Sequence, residues 1–381
     1  MKPLCNIHVH TFNAFYVPDK FLGLYVPDWL AKILTKLLRR KAPAKVIVWA
    51  LKKFGGPTYS KFAAFLRIGI KNTQDMVFND LRKQGYPENA RFVVLPLNFK
   101  HMGAGKVNMT YEQQLEGLME VKRRFPNQCL PFVFIDPRMG TVRENKDFVE
   151  KYMAKGFVGI KMYPSLGYYP FDERLEEVYA FAEKNEVPIL THCSTTGVYY
   201  KDEKHIPDEF LNPKSFNKLE KEYFNVDNPR SYKYVKNQKL DKFTDNFLRP
   251  EVYTDALTKF PKLKICFAHF GLDNEQANLP MEKWIWFKQV IQLMRDFENV
   301  YADISYSLHH KPFLDEFVKL TGGDELVQKK VLFGTDYFMT LQEAPEKTLY
   351  HQAVSGFGDN MFEKIAVENV GRYLSSGFYR Y

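Results

Sequence analysis

Short apolar runs recur along the chain, and between them lie stretches whose apolar positions repeat every three to four residues. Runs rich in Val, Ile, Leu and Phe at Leu4–His10, Arg91–Leu97, Leu130–Asp136, Phe157–Tyr163, Val187–His192, Leu263–His269, Val300–Ile304 and Lys330–Thr335 predict eight strands. Helical periodicity follows most of them, at Tyr111–Arg124, Asn145–Lys155, Arg174–Asn185, Met281–Phe297, Lys311–Leu320 and Met361–Leu374. Strand and helix in alternation predict parallel strands joined by helical crossovers. Eight such units predict an α/β fold of the (β/α)8 TIM barrel type, read as a single domain over 1–381. No Gly-x-Gly-x-x-Gly turn follows any strand, which argues against an open dinucleotide-binding sheet.

Two connections exceed what a simple barrel needs, at about 11–73 and 193–250. Both leave the C-terminal ends of their strands, the face on which barrel enzymes build their sites, so they are expected to be lids or specificity walls. The first carries basic amphipathic helices around Asp28–Arg40 and Ala44–Phe54. Its stripe of Trp29, Leu30, Ile33, Leu34, Leu37 and Leu38 is expected to pack onto the host domain, the alternatives being a membrane surface or a partner subunit.

Composition narrows the class without choosing a substrate. Hydrophobic residues at 45% and charged residues at 26% suit a globular protein. The net charge of +9 is spread along the chain without a nucleic-acid-binding signature, so no nucleic-acid partner is expected. Four cysteines without a Cys-x-x-Cys pair read as buried thiols in a reducing compartment. The first strand starts at once and no apolar run reaches membrane-spanning length. The expectation is a cytoplasmic protein with no stable membrane insertion and with homo-oligomerisation open.

The chemistry-bearing residues fall at strand ends. His8 and His10 lie two apart on the first strand and so project to one face, as two imidazoles sharing a cation would. Alone, such a pair is a weak signal. His192 ends the fifth predicted strand, His269 ends the sixth, and Asp336 follows the eighth in Leu-Phe-Gly-Thr-Asp. Five ligand-type residues therefore converge on one rim of the predicted barrel. Asp303, in the seventh strand, reads as a group satisfying interior polar atoms rather than as a reacting one.

The stretches Asn6-Ile-His-Val-His, Gly156-Phe-Val-Gly-Ile-Lys-Met-Tyr-Pro, Thr191-His-Cys, Ala268-His-Phe-Gly, Asn299-Val-Tyr-Ala-Asp and Leu332-Phe-Gly-Thr-Asp resemble the amidohydrolase superfamily. The wording is most similar to its amidohydrolase-related branch of metal-dependent hydrolases and aminocarboxymuconate-semialdehyde and resorcylate decarboxylases. The resemblance runs from 4 to 374 and is absent from the two insertions. It implies His8, His10, His192 and Asp336 as direct ligands of a divalent metal, zinc first and one ion rather than two. It implies His269 as a second-metal ligand or a catalytic group, with Asp336 as general base and then acid. Lys161 is either a carboxylated bridge between two metals, a partner for a substrate carboxylate, or a partner for Asp336. Arg138, Tyr163 and Asn98 are candidate substrate contacts, with Arg138 equally able to pair with Asp136.

The leading expectation is hydrolysis of an amide, lactone or ester bond of a small anionic or aromatic molecule by metal-activated water. Non-oxidative decarboxylation is the alternative, and a non-catalytic binding protein the third reading.

Overall fold

The computed structural model describes residues 2–11, 13–24, 26–54, 66, 73–195, 197–202, 205, 240–272 and 279–381. Parts of both predicted insertions, 55–65, 67–72 and 206–239, lie outside the described residues.

Eight parallel strands pair strictly in chain order. They are β1 (Cys5–Val9), β2 (Arg91–Val94), β3 (Cys129–Phe134), β4 (Gly159–Met162), β5 (Ile189–Thr191), β6 (Ile265–Phe267), β7 (Val300–Asp303) and β8 (Val331–Leu332). The ring closes between the last strand and the first through backbone bonds, Ile7 N donating to Phe333 O at 3.0 Å and Asp336 N to His8 O at 2.9 Å. The predicted (β/α)8 barrel is the fold.

Alternation along the strands builds the interior. Leu190, Cys266, Tyr301 and Leu332 point into the barrel and form its floor with Cys5 and Ile7, while their strand neighbours pack outward against the helices. The outer helices form where the periodicity places them. Tyr111–Arg124 begins at a capping box, with Thr110 and Gln113 each satisfying the other's backbone N–H. A second capping box, Thr141 with Glu144, starts the next helix at Val142, three residues before the position that apolar periodicity indicates. No helix among the described residues is long and apolar enough to cross a membrane. All four cysteines are buried and free.

Three features differ from the sequence reading. First, strict alternation fails in β1. Between Asn6 and Val9 the register against β2 slips, so that three steps on β1 match two on β2. This bulge turns His8 into the interior immediately after Ile7, which also faces inward. Opposite His8 stands Gly334, where a β-carbon would lie 2.9 Å from the His8 Cβ. Gly334→Ala is therefore expected to cost about 1–3 kcal/mol of stability by overpacking, read from urea unfolding.

Second, the strands stop earlier than the apolar runs suggest. His192, His269 and Asp336 all lie beyond the last paired residue. His269, Phe270, Tyr306 and Asp336 adopt φ of 59°, 54°, 63° and 61°, a left-handed region that non-glycine residues seldom occupy. These turns bend the chain back over the barrel mouth and cost local backbone energy, which the surrounding packing must offset.

Third, the apolar stripe of the helix Asp28–Leu38 is divided. Ala31, Thr35 and Leu38 are buried, whereas Trp29 and Ile33 stand 68% and 49% exposed.

Candidate metal centre

The strand ends bring His8, His10 and Asp336 together at the C-terminal mouth of the barrel, with one ligand-type atom from each lying within 4.8 Å of the others. The Asp336 Oδ1 is 3.2 Å from His10 Nε2 and 3.6 Å from His8 Nε2. All three residues are buried.

The hydrogen bonds on the far side of each ring decide what these nitrogens can do. His10 Nδ1 lies 2.7 Å from the Leu95 carbonyl oxygen. A carbonyl only accepts, so Nδ1 carries the proton and Nε2 presents a lone pair. His8 Nδ1 lies 2.9 Å from Asp303 Oδ2, which fixes the same tautomer. Two imidazole lone pairs and a carboxylate oxygen thus face one another, and Asp336 Oδ1 has no hydrogen-bond donor. Three converging acceptors repel unless a cation lies among them. The donor set, two nitrogens and an oxygen each anchored from behind, fits a divalent transition metal.

His269 and His192 extend the group. His269 Nδ1 donates to Ser305 O at 3.2 Å and approaches Ser305 Oγ at 2.9 Å. Its Nε2 then accepts from His192 Nδ1 at 3.2 Å, leaving His192 Nε2 as another lone pair. The His192 ring is held flat against Tyr163, with centroids 4.1 Å apart and planes 10° from parallel. His192 stands one ring away from the tight His8–His10–Asp336 group, joined to it through His269.

Burial pushes His8 down to about 4, aided by the Lys161 charge and opposed by Asp303 and Asp336. It lowers His269 as well. Both rings are therefore neutral, as metal ligation requires. Burial alone would raise the Asp336 carboxyl, but a proton on any of the neighbouring His8, His10 or His269 rings outweighs it and holds the carboxyl below its ordinary value.

Asp303 does more than satisfy interior polar atoms. Its Oδ1 accepts His269 N at 3.0 Å, Ser305 N at 2.9 Å and the Ser305 hydroxyl, while Oδ2 orients His8. One side chain thus fixes two of the histidines, and these donors hold its carboxyl far below the ordinary value despite burial. Asp303→Asn is expected to weaken metal affinity by about ten- to a hundredfold, measured by competition with a chromogenic chelator. Ser305, which links both histidines to Asp303, carries no sequence signal beyond its place two residues after that aspartate.

Lys161 lies in the barrel interior, fully buried, with an Nζ that has no hydrogen-bond partner. It does not pair with Asp336, and the cavity above the histidines does not reach it. Burial pulls its ammonium down to about 8, against the opposing pull of Asp303 and Asp336.

The remaining candidates separate. Tyr163 lines the cavity with His8, His10, His192, His269 and Asp336, its hydroxyl accepting from Val198 N at 3.1 Å. Arg138 closes its guanidinium fork on Asp136, with Nε–Oδ1 2.9 Å and Nη2–Oδ2 2.6 Å, and also donates to Leu166 O. Asn98 accepts from Lys100 N at 3.1 Å and faces a neighbouring cavity rather than the histidines. Arg138 and Asn98 are both absent from the described lining of the histidine cavity.

On the outer side of β1 and β8, Asn6, Tyr86, Thr335 and Glu346 form a buried network. Glu346 Oε1 accepts from Tyr86 OH at 2.5 Å and Thr335 Oγ1 at 2.8 Å, and Asn6 Oδ1 accepts from His8 N at 3.1 Å. The network locks the bulged strand to the loop that carries Asp336.

Comparisons with known proteins agree with this architecture. An amidohydrolase family model matches residues 132–373, more than half of the chain. No curated protein matches by sequence. Among solved structures, 5-carboxyvanillate decarboxylase from Novosphingobium aromaticivorans, complexed with manganese and 4-hydroxy-3-methoxy-5-nitrobenzoic acid, aligns with a TM-score of 0.54 at 12% identity, covering 98% of this chain and 96% of that one. An amidohydrolase from Burkholderia multivorans with bound zinc aligns with a TM-score of 0.52 at 9% identity, covering 98% and 99%. A 4-oxalomesaconate hydratase from Rhodopseudomonas palustris aligns at 0.50 and 16% identity, covering 97% and 95%. At such identities the likeness shows the fold alone. Barrel topology, the clustered strand-end residues and the family match together show that the chain belongs to the amidohydrolase family.

Proposed function

We propose that this protein is a metal-dependent hydrolase acting on an amide, lactone or ester bond of a small molecule. The observation that carries the reading is the convergence of His8 Nε2, His10 Nε2 and Asp336 Oδ1 without a donor among them. These residues, with His192 alongside, would hold a single divalent ion, zinc in the first instance. When bound, such an ion supplies Lewis-acid activation of water.

The protein's own groups supply the proton handling. Asp336 faces the mouth of the barrel, where it can take a proton and return it to a leaving group. The His192–His269 pair, 3.2 Å apart, can pass a proton between facing nitrogens or polarise a substrate oxygen. Asp303 and Ser305 hold His8 and His269 in the required orientation.

The cavity over this group has a volume of about 290 Å³, the size of a small molecule. Tyr163, Tyr199, Tyr306, Leu24, Leu97 and Met339 supply aromatic and apolar wall, and no lysine or arginine is among the described lining residues. This lining favours an aromatic substrate over one recognised through its charge.

Decarboxylation of a carboxylated ring is the second reading. It is the reaction named for 5-carboxyvanillate decarboxylase and for 2,6-dihydroxybenzoate decarboxylase, which aligns with a TM-score of 0.50 at 14% identity. Product analysis separates the two. With metal-loaded protein and a panel of aromatic amides, lactones, esters and carboxylic acids, turnover in ¹⁸O water is expected to place label in a released acid. Carbon dioxide release without label uptake would overturn the hydrolase.

A further inference from the structure

Helices Asp28–Leu38 and Lys41–Phe54 follow β1 and pack against each other at the C-terminal face of the barrel. Their inner sides, Ala31, Thr35 and Leu38 on the first and Ala44 and Val48 on the second, are buried. Their outer sides carry four large exposed apolar side chains, Trp29 at 68%, Ile33 at 49%, Val46 at 63% and Trp49 at 55%, the last with the Lys53 ammonium 5.0 Å from its ring centroid. Trp29 and Ile33 are four apart and Val46 and Trp49 three apart, so each pair shares one helix face. Among the described residues only Leu279, Ile285 and Phe378 are comparably exposed large apolar groups.

Charge around this patch has one sign. From Trp29 to Phe54 the sequence holds eight basic residues and no acidic one. The nearby acids are already engaged, Asp19 with Arg39 and Asp28 with Lys20 and Lys201. Lys32, Lys36, Arg40, Lys41 and Lys45 are exposed and have no acidic partner among the described residues.

We propose that these two helices are a docking surface for an anionic lipid bilayer, with Trp29, Ile33, Val46 and Trp49 entering the headgroup layer and the lysines lying along the negative surface. Indole rings beside basic side chains are the composition that the membrane–water boundary selects. Charge decides against a second copy of the chain. A two-fold contact through this patch would set its basic residues against their own symmetry mates, with no acid in either helix beyond the engaged Asp28 to compensate. The first helix also packs on the turn Phe21–Leu24, and Leu24 lines the histidine cavity. A docked bilayer would thus lie on the same face of the barrel as the site.

The test uses the full chain and sedimentation with vesicles of phosphatidylcholine alone or with roughly 30% phosphatidylserine, at about 0.1 M salt. Binding to the phosphatidylserine vesicles is expected to be at least about tenfold tighter than to phosphatidylcholine, and to weaken as salt rises. Trp29→Ser with Trp49→Ser is expected to weaken it about tenfold, and Lys32, Lys36, Lys41 and Lys45→Gln to bring it to the phosphatidylcholine level. In the unmodified protein, brominated acyl chains are expected to quench tryptophan fluorescence, because the other two tryptophans, Trp284 and Trp286, are buried. Equal affinity for both vesicle types, or no quenching by brominated lipid, would overturn the proposal. So would self-association in sedimentation equilibrium that the tryptophan substitutions abolish, or capture of an acidic protein surface in preference to the vesicles.

Discussion

Replacing His8 and His10 together by alanine is expected to strip the protein of bound divalent metal, as read by elemental analysis of protein purified without chelator. The two rings supply two of the three converging acceptors, and Asp336 alone is one carboxylate oxygen. Asp336, with only the more distant His192 beside it, cannot retain a transition metal against water and buffer. Turnover is expected to fall by at least about a thousandfold, since the Lewis-acid chemistry that a bound ion would supply is lost with it. Fold and activity are separable here. Removing the two imidazoles relieves acceptor crowding at the mouth but opens cavities and leaves Asp303 Oδ2 and the Leu95 carbonyl without their donors, so the metal-free variant is expected to melt below metal-free wild type while keeping its far-ultraviolet circular dichroism. Undiminished metal content in the double variant would refute the assignment of the centre, whatever the activity.

The barrel was legible because its strands are buried on both faces and its helices on one, which writes two distinct periodicities into the sequence. Eight apolar runs correspond to β1–β8. The histidines at strand ends were legible for the same reason: a polar side chain ending a fully apolar run has few structural explanations. The β1 bulge was not legible, because it depends on pairing between Cys5–Val9 and Arg91–Val94 rather than on either segment alone. Nor was the overrun of the strands, since Ala268 and Phe333 continue the apolar runs past the last strand residues, Phe267 and Leu332, and the left-handed turn comes only at His269 and Asp336. Arg138 shows the limit for charged residues. Its fork suits a substrate carboxylate or a neighbouring aspartate equally well in sequence, and the nearer acceptor, Asp136, occupies it. The exposed half of the Trp29 stripe was hidden by a related ambiguity. Periodicity identifies an apolar face but not its cover, and in this helix the buried residues are the smaller Ala31 and Thr35 beside Leu38.

Lys161→Met is expected to stabilise the metal-free protein by about 3 kcal/mol at pH 7, measured by urea unfolding. The argument rests on an ammonium group with no hydrogen-bond partner in the barrel interior, pulled from its ordinary 10.5 to about 8 chiefly by burial. A lysine whose folded pKa is depressed penalises the fold while both states are protonated. The penalty is lifted as pH rises from about 8 to 10.5, where the folded protein gives up its proton first. Wild-type stability should therefore climb across that window relative to Lys161→Met, and the advantage of the variant should shrink toward zero by its upper end. Metal analysis of the same variant distinguishes the roles open to this residue. With a single ion on His8, His10 and Asp336, metal content stays at one equivalent in both proteins. If Lys161 were instead a carboxylated bridge, wild type would carry two equivalents and the variant fewer, and methionine would destabilise the metal-loaded protein rather than stabilise the metal-free one.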